Sequence, residues 1–340
     1  MLKGETFAMD TLFLLTILII FFALAFDFIN GFHDTANAIA TSVSTKALKP
    51  RVAIVLAASM NFIGAITFTG VAKTITKDIV DPFAISNGTV VILAALLSAI
   101  AWNLITWYYG IPSSSSHALI GSIAGAAISA AGFGILNYNG FIKILQALLF
   151  SPFIALAVGF IMMSLFKVIF RNSNLYKTNK GFRIFQIFTA SLQAFTHGTN
   201  DAQKAMGIIT MALIAGGFTT SNDIPLWVRI SAATAMGLGT SVGGWKIIKT
   251  VGGKIMKIRP INGAAADLSS ALIIFGATYI HLPVSTTHVI SSAIMGVGSA
   301  QRVKGVKWGV ARKIVLTWVI TLPISALLAG IMYQILNIFF

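Results

Sequence analysis

The sequence predicts an all-α polytopic membrane protein with about ten membrane segments in two inverted five-segment repeats, and three observations carry that reading. Hydrophobic residues make up 56% of the 340-residue chain and charged residues only 10%, with a mean hydropathy of +0.87; an ordinary soluble domain carries roughly a quarter charged residues. Long apolar runs recur along the whole chain, and a helix crossing a hydrocarbon core of about 30 Å needs roughly 20 such residues. The basic residues collect in alternate connections between those runs. The net charge of +15 would suggest nucleic acid in a soluble protein. Here it orients the chain in lipid, so membrane lipid rather than nucleic acid is the expected surrounding. The absence of cysteine excludes disulfides and thiolate metal sites.

In chain order the apolar segments lie near 11–45, 52–72, 84–109, 113–131, 141–170, 182–217, 226–250, 262–281, 284–299 and 308–338. The first follows Lys3 but lacks a small-residue cleavage site, so it reads as a retained span rather than a signal peptide. The connections near 46–51, 171–183, 246–259 and 302–313, with their flanks, hold 18 of the 24 Lys and Arg residues. Glu5, Asp10, Asp78, Asp81 and Asp223 fall on the opposite side, and Asp27, Asp34, Asp201 and Asp267 fall inside apolar segments. The basic side is therefore cytoplasmic, and ten crossings place both termini outside a cell membrane.

Two stretches recur. GFHDTANA at Gly31–Ala38 matches GTNDAQKA at Gly198–Ala205, and PSSSSH at Pro112–His117 matches PVSTTH at Pro283–His288. Lys73-Thr74-Ile75 recurs as Lys249-Thr250-Val251, and Asn87-Gly88 as Asn262-Gly263. The chain divides into a first repeat, 1–170, a short cytoplasmic linker, 171–181, and a second repeat, 182–340. Five segments per half is an odd number, so the second half enters from the opposite face. That is the inverted architecture of many secondary transporters, with substrate near the middle of the membrane. Gly31 and Gly198 are expected to break the helices that carry them. The Pro-Ser stretches have backbone groups tolerable at depth only beside a cavity, so at least partial re-entry as hairpins is expected around 84–131 and 262–299.

Asp34 and Asp201 occupy matching places in the halves, and a carboxylate at mid-membrane costs about 2.5–3.5 kcal/mol, which marks a functional position. The bland alternative is a carboxylate that caps a broken helix. Asn37 and Thr41 share a helical face with Asp34, and Asn30 and Asn200 add amide oxygens. Such hard oxygen ligands suit Na⁺, with Asp34 and Asp201 as its seats, and a carboxylate can instead carry H⁺. Lys204 stands where the first half has Asn37; it either pairs with Asp201 three residues back or faces an anionic substrate. Ser114, Ser115 and Ser116, and in the other half Ser285, Thr286 and Thr287, follow a proline and open apolar helices. Free N–H groups, the positive dipole end and the hydroxyls together make an anion cradle, presented twice; plain N-capping accounts for one hydroxyl in each. His117 and His288 follow as packed polar residues or proton relays. Asp27 and Asp267 have no counterpart in the repeat, and each is either a structural group or a coupling-ion ligand. Gly121 and Gly125 form a small-residue pair suited to close helix packing.

GFHDTANAIATSVSTKAL, HGTNDAQKAMG and LPVSTTH resemble the inorganic phosphate transporter (PiT) family over essentially the whole chain. The resemblance implies a secondary active transporter that imports inorganic phosphate in symport with Na⁺ or H⁺, needs no cofactor and is not an enzyme. It implies motif aspartates at Asp34 and Asp201 and phosphate contacts within Ser114–Ser116 and Ser285–Thr287. Departures from the family are the short linker, Asn61 where many relatives have glutamate, and Asp267 where a glutamate often stands. Some members carry sulfate, so a sulfate or other oxyanion permease is the alternative. A passive anion channel is disfavoured by the paired aspartates. An intramembrane hydrolase using Ser116 or Thr287 is disfavoured because no G-x-S-x-G elbow is present. A homodimer is compatible with these features, and no residue requires it.

Overall fold

The computed structural model describes the backbone of residues 2–80 and 87–340, and the side chains of these except residues 2–11 and Leu175. Asp81 and the side chains of Glu5 and Asp10, assigned above to the outer face, lie outside the described residues. Twelve α-helices make up the described chain: α1 (Leu2–Ser44), α2 (Pro50–Thr67), α3 (Gly70–Asp78), α4 (Gly88–Tyr109), α5 (Ser115–Ala131), α6 (Tyr138–Ile169), α7 (Leu175–Ala215), α8 (Leu226–Val242), α9 (Trp245–Lys249), α10 (Pro260–Tyr279), α11 (Thr286–Gln301) and α12 (Trp308–Leu336).

Local chemistry sets many of these boundaries. Pro50 and Pro260 open α2 and α10, where the missing N–H has no helical partner to lose. The Asn174 side chain accepts hydrogen bonds from the Tyr176 and Lys177 amides, at 3.0 and 3.2 Å, and so caps α7. Gly110, at φ +65°, ends α4 in the left-handed conformation that glycine adopts freely.

Six described helices are long and apolar enough by themselves to cross a membrane: α1 from Leu12, α2, α4, α6, α10 and α12. Each of the ten apolar segments contains a helix, but α5 is only 17 residues and α11 only 16. The segments near 52–72 and 226–250 are each split, because α3 and α9 are separate short helices. Large side chains such as Phe153, Val168 and Leu327 are 66%, 73% and 68% exposed, as expected of a surface facing acyl chains.

The expected breaks at Gly31 and Gly198 do not occur: α1 and α7 run unbroken for 43 and 41 residues. Both glycines are contact points instead. A Cβ on Gly31 would strike the Met236 carbonyl and Thr240 amide of α8, and one on Gly198 would strike the Asn61 backbone of α2. A glycine costs a helix about 1 kcal/mol, and a helix gripped along its length by tertiary packing absorbs that. The interruptions fall at the Pro-Ser stretches, between α4 and α5 and between α10 and α11.

Helices pair across the halves. α5 packs on α12 and α6 on α11; α1 packs on α8 and α7 on α2; α1 contacts α4 as α7 contacts α10. Gly121 and Gly125 lie against the α12 backbone at Leu322 and Ala326, so this small-residue pair does serve packing. The Lys-Thr repeat has a shared task. Thr74 on α3 donates to the His281 carbonyl at 2.8 Å, and Thr250, just after α9, donates to the Gly110 carbonyl at 3.1 Å. Each fastens the turn that ends the first helix of the other half's hairpin.

Two apolar cores result. One contains Leu15–Phe26 of α1 with α4 and α5. The other contains Ala36–Ala40 of α1 and Leu48 beyond its end, with α10 and α11. The buried polar residues Asp27, Asn30, His33 and Asp34 of α1 lie in sequence between the two.

Candidate functional site

The starts of α5 and α11 are hairpin tips buried in the middle of the protein. Ser113–Ser116 and Ser285–Thr287 are at most 1% exposed. Ser114 and Ser285 cap their helices, accepting from the His117 and His288 amides at 3.0 and 3.2 Å. Those two hydroxyl groups are thus N-caps, as the simpler reading of the sequence allowed. The tips touch: Ser116 Oγ donates to the Val284 carbonyl at 2.8 Å.

The remaining hydroxyls meet the paired aspartates. Ser115 donates to Asp34 Oδ2 at 2.5 Å and Thr287 to Asp34 Oδ1 at 2.9 Å. His33 Nδ1 lies 2.7 Å from the same Oδ1, and Asn37 Nδ2 donates to Thr287 at 2.8 Å. In the second half, Thr286 donates to Asp201 Oδ2 at 2.9 Å. Lys204 Nζ donates to Asp201 Oδ1 at 2.6 Å, and His197 Nε2 is 3.2 Å from Oδ2. Of the two roles open to Lys204, the structure shows the ion pair, with both side chains buried. Asp34 therefore joins α1 to α5 and α11, whereas Asp201 joins α7 to α11.

The two carboxylates are equivalent in place but not in chemistry. Four residues before the aspartate stand Asn30 and His197; one before stand His33 and Asn200; three after stand Asn37 and Lys204. Asn200 is used structurally: its amide donates to Thr278 and the Leu282 carbonyl, and its oxygen accepts from the Val284 amide at 3.2 Å, anchoring the second tip. Asn30 and Asp27 are fully buried, and neither side chain has a hydrogen-bond partner. Asn37 Oδ1 is likewise unpartnered. Asp267 forms a separate centre, accepting from Thr41 at 2.6 Å and Thr189 at 3.3 Å. Thr41 is seven residues beyond Asp34 on α1, about 10 Å along the axis. The His117 and His288 ring centroids lie 4.5 Å apart with the planes tilted by 39°, and His288 stacks on Trp318 at 4.0 Å.

His33 and His197 lie at the candidate site without having been singled out in the sequence, and Asn61, noted there only as a departure from the family, lies beside them. His197 precedes Asp201 by four residues, a spacing that shares a helix face. Asn61 Oδ1 accepts from His197 Nδ1 at 2.8 Å and Asn61 Nδ2 donates to Thr35 at 3.0 Å, contacts that only packing of α2 on α1 and α7 creates.

The donor set is carboxylate, amide and hydroxyl oxygen around two helix starts, and the described residues hold no group of three His, Cys, Asp or Glu suited to a metal. The free Asn37 oxygen beside Asp34 fits a hard monovalent cation, and the helix starts fit an oxyanion.

The sequence profile of the "Phosphate transporter family" matches residues 30–178 and 171–329. A "Probable low-affinity inorganic phosphate transporter" of Bacillus subtilis (strain 168) is 75% identical over 333 residues, 98% of this chain and 100% of that protein. One of the same description from Rhizobium meliloti (strain 1021) is 44% identical, covering 92% and 93% of the two chains. Among solved structures, "The sodium-dependent phosphate transporter" superposes with a TM-score of 0.86 at 25% identity, covering 96% of this chain and 100% of that one.

Proposed function

The chain belongs to the phosphate transporter family, and on that premise we propose that it is a secondary active transporter importing inorganic phosphate across the cell membrane in symport with Na⁺ or H⁺. The observation that carries this reading is the hydroxyl grip on Asp34, contributed by the starts of two helices from different halves of the chain. Ser115, Thr286 and Thr287 now donate to carboxylates. Phosphate oxygens at the same helix starts are competing acceptors, favoured by the free N–H groups and the dipole ends. As those hydroxyls turn to phosphate, Asp34 loses two donors. A cation then takes their place, with the Asn37 and Asn30 oxygens beside it. Cation and anion each lower the cost of bringing the other into low dielectric, because close opposite charges interact strongly there.

The architecture that serves this is ten membrane segments in two inverted halves, 1–170 and 182–340, with α4–α5 and α10–α11 as hairpins entering from opposite faces. The exchange of helix contacts between halves supports it, since each pairing has a counterpart with the halves reversed. The Asp267 centre with Thr41 and Thr189 is a secondary cation position on the inner flank.

Uptake of radiolabelled phosphate into proteoliposomes under an imposed Na⁺ or H⁺ gradient tests the proposal. Accumulation driven by at least one gradient, and outcompeted by phosphate over sulfate, is expected. No uptake under either gradient overturns it, and sulfate competing better than phosphate reassigns the anion.

A further inference from the structure

We infer that the Lys204 ammonium is a built-in counter-cation: it permanently fills the second-half position that an exchangeable cation would otherwise need, leaving Asp34 as the exchangeable member of the pair. This rests on reading Asp34 as a cation seat in phosphate symport. The first half puts Asn37, an uncharged oxygen donor, three residues after its aspartate, and the second half puts Lys204 there. Lys204 Nζ sits 2.6 Å from Asp201 Oδ1, with the side chains 1% and 0% exposed. At the Asp34 position the corresponding amide oxygen has no partner.

Electrostatics gives the consequence. A phosphate approaching the helix tips meets two carboxylates, and like charges repel strongly where little water screens them. Each carboxylate must be compensated before the anion enters. Asp201 carries its compensation on the same helix turn, and a tethered ammonium cannot leave with the substrate. Asp34 has no lysine or arginine partner among the described residues: it is contacted by His33, Ser115 and Thr287. The pair therefore draws on one mobile cation instead of two.

The test compares the purified full-length protein with Lys204→Asn and Lys204→Met. Its first readout is the thermal midpoint in NaCl against choline chloride at stepped pH, because a ligand binding only the folded state raises that midpoint. Both variants should gain a Na⁺- or H⁺-dependent stabilisation beyond that of the unaltered protein. In proteoliposomes, Lys204→Asn should carry phosphate with an apparent cation order raised by about one. The double variant Asp201→Asn with Lys204→Met removes carboxylate and counter-charge together; it should fold and keep the original cation dependence of its midpoint. The inference is overturned if the single variants show no added cation dependence, if Lys204→Asn transports with unraised order, or if the double variant gains a dependence. Where the single variants do not fold, the double variant decides. Failure of phosphate uptake by the unaltered protein sinks the transport reading separately, and the midpoint measurements stand without it.

Discussion

Asp34 gathers donors from three helices: His33 on its own α1, Ser115 on α5 and Thr287 on α11. An asparagine there accepts through one atom instead of two and carries no charge. Asp34→Asn is expected to abolish phosphate uptake while the protein still elutes as a single folded species from size-exclusion chromatography. Hydrogen bonds to charged groups contribute about 1.5–3 kcal/mol each. Ser115→Ala and Thr287→Ala should each lower the uptake rate at limiting phosphate about 10–100-fold, read as initial rates in proteoliposomes. A different outcome is expected at the surface. The Lys73 ammonium donates to Asp223 at 2.6 Å and holds its carboxyl below the usual carboxylate range. A depressed carboxyl contributes stability above its unfolded pKa and loses it as pH falls through the folded value. With the side chains 46% and 80% exposed, the pair is screened by solvent and contributes little. Asp223→Asn should leave the thermal midpoint at pH 7 unchanged and remove only a small acid-side loss. The site was partly legible at this scale: both aspartates and all six hydroxyl residues were visible as a repeated pattern. Which hydroxyl caps a helix and which grips a carboxylate was not, because both roles fit the same Pro-Ser-Ser-Ser spacing.

Helix elements respond to space as much as to propensity. Gly31 and Gly198 sit in long continuous helices because the backbones of α8 and α2 press against them. Gly198→Ala leaves α7 helical but forces α2 outward at Asn61, whose side chain contacts His197. Overpacking of this kind costs about 1–3 kcal/mol, so a lower thermal midpoint is expected with helix content by circular dichroism unchanged. The hairpins show the complementary case. Their turns need positive φ at Gly110 and His281, and each is fastened by a threonine from the opposite half. The Lys-Thr repeat was visible in the sequence, but its task was not, since the acceptor carbonyls lie 140 and 207 positions away.

On the scale of the whole molecule, the proposed inversion of the two halves predicts that equivalent points face opposite compartments. Short turns after α5 and α11, Phe133–Ile135 and Val303–Gly305, are equivalent and exposed. The chain has no cysteine, so single cysteines report without background. A Cβ at Gly134 meets nothing within 4 Å, and one at Gly305 meets only Arg302 at 3.8 Å. Gly134→Cys should react with an impermeant maleimide on intact cells, and Gly305→Cys only after permeabilisation. Labelling of both from one side would make the repeats parallel.

The sequence by itself determined the membrane class and the family, and it marked the recurring Asp and Ser/Thr motifs, though not His33 or His197 beside them. These follow from composition and short spacings, which are properties of the chain read locally. Tertiary structure decided that Gly31 and Gly198 are contacts rather than breaks, that Lys204 is spent on Asp201, and that Asp267 stands apart from both motif aspartates. It also decided that Asp34 meets hydroxyls 81 and 253 positions away. Contacts at such separations are fixed by which helix faces pack together, and periodicity along one helix carries no information about the face it will meet.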